Sequence, residues 1–134
     1  MPNVISGFHH ITLNVTDLER SRRFYQALPG FVLDQDMPGY KLRFRVGTDA
    51  ARLVLAPPVP GTPEGDRFTE RRIGLDHLAL GVPSRAELEE LLAVLREIGA
   101  ETDGIHMDRA GESAMITFRD PDNIQWEFFE QPPA

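Results

Sequence analysis

The chain has 134 residues, no cysteine and a formal net charge of −7, a size that suits one compact domain built from a single unit or from two small modules. Without cysteine there are no disulfides, thiolate metal sites or cysteine nucleophiles, so any metal must be held by His and carboxylate. The acidic balance argues against non-specific nucleic-acid binding and against docking on anionic membranes. No apolar run approaches the roughly 18 residues of a membrane span, and "MPNVISG" lacks the basic and apolar regions of a secretory signal, so a cytoplasmic protein is expected.

The first element expected is a strand within "FHHITLNV" (8–15). Thr16 and Asp17 then offer N-cap oxygens to a helix from about Leu18 to Leu28, which "PG" (29–30) breaks. Three short runs follow, at about 31–37, 40–47 and 51–56, each patterned as a strand. "PPVPGTPEG" (57–65) is too rich in Pro and Gly for regular structure and reads as a joint extending to about residue 72.

The pattern then starts again. "HITLNV" (10–15) recurs as "HLALGV" (77–82), an offset of 67 residues. Ser84 and Glu87 have the spacing of a capping box, Leu88, Leu91, Leu92, Leu95 and Ile98 follow helical periodicity, and Gly99 stops the helix. Further strands are expected at about 104–108, 113–119 and 124–130, with "DPDN" (120–123) as the last turn. The chain is therefore expected to be one α+β domain over 1–134, with βαβββ modules at 8–56 and 73–130 and the joint at 57–72. Neither module holds enough residues to bury a core alone, so pairing within the chain or across a dimer is expected.

Strand alternation sorts the side chains. Ile11, Leu13 and Val15 share the helix side of the first strand, and His10, Thr12 and Asn14 the other. Leu78, Leu80 and Val82 repeat this against His77, Ala79 and Gly81, so His10 and His77 occupy the same place. In the last strand Ile124, Trp126 and Phe128 face the helix, and Glu127 faces away between Gln125 and Phe129. A carboxylate flanked by Trp and Phe needs something positive to meet it. Two histidines and a glutamate on one face make the 2-His-1-carboxylate set suited to Fe(II) or Mn(II) and usable by Zn(II). Each residue alone also has a plain structural or solvent role available; the repeat is what joins them. His9 goes with the apolar set at the frayed strand end and reads as structural, or at most as support for its neighbour. His106 has no partner spacing.

Lys41, Arg43 and Arg45 share a face, as do Thr117 and Arg119 on the equivalent strand. Arg43 or Arg45 is expected to meet an anionic group of a substrate, with Thr117 a further substrate contact. The alternative for the arginines is snorkelling at a sheet edge or dimer rim. Tyr25 reads as core, and no general base stands out.

"FHHITLNVTDLERSRRFY", "GLDHLAL" and "FRDPDNIQWEFFE" together resemble the vicinal oxygen chelate superfamily, which includes glyoxalases, extradiol dioxygenases, fosfomycin-resistance enzymes and bleomycin-binding proteins. The resemblance implies paired βαβββ modules whose sheets curl around a metal cavity with helices outside, and commonly a homodimer. It implies metal ligands at His10, His77 and Glu127, and one divalent ion per site, with Fe(II) or Mn(II) favoured and Zn or Ni usable. The implied activity is that of an enzyme chelating a small substrate through vicinal oxygens, a dioxygenase-like oxidoreductase, a lyase or an isomerase. The alternative is a resistance protein that sequesters or modifies an antibiotic. Departures narrow this. Val54 stands where glyoxalases usually have a fourth ligand. Thr117 stands where extradiol enzymes usually have Tyr. "HMDRAGESAM" (106–115) does not reproduce the Lys/Ser-rich loop of fosfomycin enzymes.

Overall fold

The computed structural model describes residues 3–132. The chain divides into two compact units, with the boundary between Thr62 and Pro63 inside the expected joint. Residues 57–77 contain no helix or strand.

In the first unit β1 (His10–Asn14) leads into α1 (Leu18–Ala27), followed by β2 (Phe31–Met37), β3 (Lys41–Val46) and β4 (Arg52–Ala56). The sheet has the order β1-β4-β3-β2, with β1 parallel to β4 and the other pairs antiparallel. Asp17 caps α1, its Oδ1 accepting from the backbone N–H groups of Glu19 (3.0 Å) and Arg20 (3.1 Å), two donors that the helix itself leaves unpaired. These bonds hold the Asp17 carboxyl below its usual pKa, the Arg20 N–H having the largest effect. Tyr25 on α1 is fully buried against Phe31 and Phe44, as the sequence reading expects.

The second unit repeats the plan with β5 (Leu78–Val82), α2 (Arg85–Glu97), β6 (Thr102–Met107), β7 (Ala114–Arg119) and β8 (Gln125–Glu130). Its order is β5-β8-β7-β6, with β5 parallel to β8. Each unit is thus a four-stranded, open mixed sheet with one helix packed on it, an α+β arrangement. Leu88, Leu91 and Leu95 of α2 are buried, and Phe118 stacks on Phe128 with ring centroids 4.7 Å apart. Ile98, expected to extend the apolar stripe, lies beyond the last helical turn and is exposed. Gly99 takes φ +74°, where a Cβ would be strained. Asn123 is the one non-glycine residue at positive φ among the described residues. Its side-chain amide holds the "DPDN" turn by donating to the Phe68 carbonyl at 3.0 Å.

The capping box at α2 takes a different form. Ser84 Oγ donates to the Glu87 carboxylate, and Ser84 makes no side-chain bond to a backbone N–H. An anionic Glu at this spacing competes for the hydroxyl, so the two side chains pair with each other.

Candidate functional site

Burial follows the alternation expected from sequence. In β8, Trp126 and Phe128 are buried, while Gln125, Glu127 and Phe129 are half-buried on the opposite face. Parallel pairing sets Glu127 beside Ala79, and antiparallel pairing sets it beside Thr117. His77 lies one residue before β5, so its imidazole stands at the strand end nearest Glu127. His77 Nε2 is 3.0 Å from Glu127 Oε1, and His77 Nδ1 is 2.7 Å from Asp76 Oδ1.

This geometry has a chemical consequence. A carboxylate only accepts, so each His77 nitrogen meets an acceptor; in the tautomer with its proton on Nδ1, toward Asp76, the neutral ring has a lone pair at Nε2. That lone pair faces a second carboxylate. Two acceptors this close call for a cation between or upon them, either a proton or a metal ion. An imidazole nitrogen is a borderline donor and a carboxylate oxygen a hard one, and divalent Mn, Fe and Zn accept both. The His77–Glu127 pair therefore offers donor atoms of a kind that fits a divalent ion.

Polar groups extend from Asp76 across this face. Gln125 Nε2 donates to Asp76 Oδ1 (3.1 Å), and Gln125 Oε1 accepts from Arg119 Nη2 (3.1 Å). Arg119 grips Glu70 through both terminal nitrogens, at 2.8 and 3.0 Å. The paired guanidinium pulls the Glu70 carboxyl down to about 2 from 4.5. Sequence alone did not single out Glu70, which lies in the irregular segment, or Asp76. The aspartate next to a candidate ligand was the available signal.

In the first unit His10 and His9 bring their Nδ1 atoms within 2.8 Å, with the rings edge to face. His10 pairs with Arg52 and Thr12 with Val54 in β1–β4. Since Ala79 pairs with Glu127 in the equivalent strands, the register puts Val54 at the position corresponding to Glu127. Val54 is buried and offers no ligand atom. Arg43 stands opposite Val54, as Thr117 stands opposite Glu127. The Arg43 guanidinium is not free: its Nε donates to Asp34 Oδ1 at 2.9 Å, and Arg52 Nε reaches Oδ2 at 3.1 Å. A register shift in β2 between Leu33 and Gln35 brackets Asp34, and its carboxyl is held below the usual range, first of all by Arg43. Arg45 is exposed and makes no ion pair among the described residues. Also among the described residues, no group of three or more His, Asp or Glu side chains is placed to hold a metal. The structure brings His77 and Glu127 together and shows His10 with His9.

The model of the glyoxalase/bleomycin resistance protein/dioxygenase superfamily matches residues 7–128. The chain belongs to this superfamily. It is 31% identical over 133 residues to YwkD, an uncharacterised Bacillus subtilis (strain 168) protein, covering 96% of this chain and 99% of that one. A glyoxylase/bleomycin resistance protein/dioxygenase domain from Frankia sp. EAN1pec is similar in structure, with TM-score 0.77 and 26% identity over 94% of this chain and 98% of that one. So is a variant of the fosfomycin resistance protein FosX from Listeria monocytogenes, solved with Mn(II) and 1S,2S-dihydroxypropylphosphonic acid. Its TM-score is 0.71 and its identity 26%, over 93% of this chain and 90% of that one. As a superfamily member, the chain has the two-module plan that its sequence repeat predicts. No helix among the described residues is long and apolar enough to cross a membrane.

Proposed function

We propose that the protein is a divalent-metal-dependent enzyme that takes a small substrate through two neighbouring oxygens, with His10, His77 and Glu127 as ligands and Mn(II) or Fe(II) as the favoured ion. The observation that carries this reading is the His77–Glu127 pair, in which an imidazole nitrogen and a carboxylate oxygen converge at 3.0 Å. His10 joins the set because it holds the place of His77 in the sequence repeat.

When bound, a divalent ion would supply Lewis-acid stabilisation of negative charge developing on a substrate oxygen. The chain's own contributions are separate. Thr117, directly across the ladder from Glu127, offers a hydroxyl to a substrate held beside that carboxylate. Arg45, with no ion pair of its own among the described residues, is the better candidate to meet an anionic substrate group; Arg43 must first leave Asp34. The lack of a ligand at Val54 leaves three protein ligands and more open positions than a four-ligand glyoxalase site has.

Metal analysis of the purified protein tests the reading. About one Mn, Fe, Ni or Zn per chain is expected, lost in His77→Ala and Glu127→Ala. A metal-free native protein that still binds a small aromatic ligand would overturn it in favour of sequestration. Oxygen uptake with a panel of catechols then separates dioxygenase from lyase or isomerase chemistry.

A further inference from the structure

We infer that Asp76 is a positioning residue for the His77 imidazole, itself held by a relay of Gln125, Arg119 and Glu70, and that His9 serves His10 in the same way. This rests on the proposed ligand role of His77.

Hydrogen bonding in the relay starts from the Arg119 guanidinium and converges on the Asp76 carboxylate. Arg119 only donates, so Glu70 and the Gln125 oxygen both accept from it. With its oxygen committed, Gln125 turns its NH₂ group toward Asp76, reaching Oδ1 at 3.1 Å and the main-chain carbonyl at 3.2 Å. Asp76 can then only accept from His77 Nδ1, at 2.7 Å. The relay holds the Asp76 carboxylate in place, and a ring that donates to it from Nδ1 turns Nε2, the atom 3.0 Å from Glu127, toward that carboxylate. The register supports the relay, because Arg119 and Gln125 are cross-strand partners and Gln125 shares a face with Glu127.

The first module carries the same device with a different residue. His9 precedes His10 as Asp76 precedes His77, at the repeat offset of 67, and its Nδ1 meets His10 Nδ1 at 2.8 Å. When His10 donates in this bond, its Nε2 is left with a lone pair. An imidazole is a weaker anchor than a carboxylate backed by a relay, so His77 is the better oriented of the two.

A purely structural role does not account for Asp76. Its side chain is 67% exposed and it lies outside β5. Orientation of a ligand by a carboxylate behind it changes metal affinity by roughly 10- to 100-fold.

The test is Mn(II) titration of the full chain, read as free Mn(II) by electron paramagnetic resonance, with Tm measured on the same samples. Asp76→Ala is expected to raise the Mn(II) Kd by about 10- to 100-fold with Tm unchanged. Asp76→Asn, which keeps an oxygen acceptor, is expected to recover much of the affinity. Gln125→Leu, one step back in the relay, is expected to weaken binding by a smaller factor. Wild-type affinity in Asp76→Ala, with binding lost in His77→Ala, would overturn the positioning role and leave the metal reading intact. Wild-type affinity in both His77→Ala and Glu127→Ala would instead overturn the metal reading itself.

Discussion

His77 Nε2 and Glu127 Oε1 lie 3.0 Å apart while Asp76 accepts from the other imidazole nitrogen. In the tautomer with its proton on Nδ1, the pair sets two acceptors against each other, an arrangement that suits a cation. Replacing Glu127 by Gln supplies an N–H that can donate to Nε2, giving a neutral pair that needs no cation. Glu127→Gln is therefore expected to keep or raise the Tm of the metal-free protein. Mn(II) at about 100 times its Kd should stabilise the wild type by about 2.7 kcal/mol and leave this variant unmoved. Thermal scans with and without Mn(II) check both.

The Arg119–Glu70 pair makes stability depend on acid. With a folded pKa of about 2 against an ordinary 4.5, Glu70 binds protons more weakly folded than unfolded. Its contribution is complete above 4.5 and is lost as pH falls toward 2. Glu70→Gln is expected to be less stable than the wild type at neutral pH. The gap should close through that window in urea titrations run at successive pH values.

The two helices differ in how they start. Asp17 accepts from two backbone N–H groups, while Ser84 is occupied by Glu87. Asp17→Ala is expected to lower Tm by a few degrees, and Ser84→Ala by less, although Ser is the equal of Asp as an N-cap in general. Differential scanning calorimetry on the two variants gives the comparison.

Phe118 is 1% exposed and stacks on Phe128 and Trp126, directly beneath the face that carries Glu127. Phe118→Ala is expected to cost about 3–5 kcal/mol. Chemical denaturation measures it, and loss of metal affinity should accompany loss of stability because β7 and β8 set the position of Glu127.

If an anionic substrate is engaged by the basic strand β3, Arg45→Ala should raise KM severalfold with kcat little changed. Arg43→Ala should act mainly on stability, by leaving Asp34 with Arg52 as its remaining guanidinium partner. Steady-state kinetics beside urea denaturation separate the two. An unchanged KM in Arg45→Ala would remove it from the substrate contacts.

The sequence by itself determined the plan of each module. The return of "HITLNV" as "HLALGV", the apolar stripe of α2 and strict alternation in β8 are local patterns with fixed periods, and they placed nearly every element within two residues. With the apolar residues of each strand turned to the helices, the same period leads to the expectation that His77 and Glu127 share the other face. Only the tertiary structure decided who touches whom. Strand pairing set Thr117 against Glu127 and Val54 at the ligand-free position of the first module. Packing brought Glu70 from an irregular segment, 49 residues away in sequence, onto Arg119, and a shift of register in β2 accompanied Asp34 bridging two arginines. Such contacts depend on distances across the sheet, for which a linear sequence carries no period. The exposed aspartate behind His77 joins both kinds: its bond to Nδ1 is between sequence neighbours, but the hold of Gln125 on its carboxylate is a contact across the sheet.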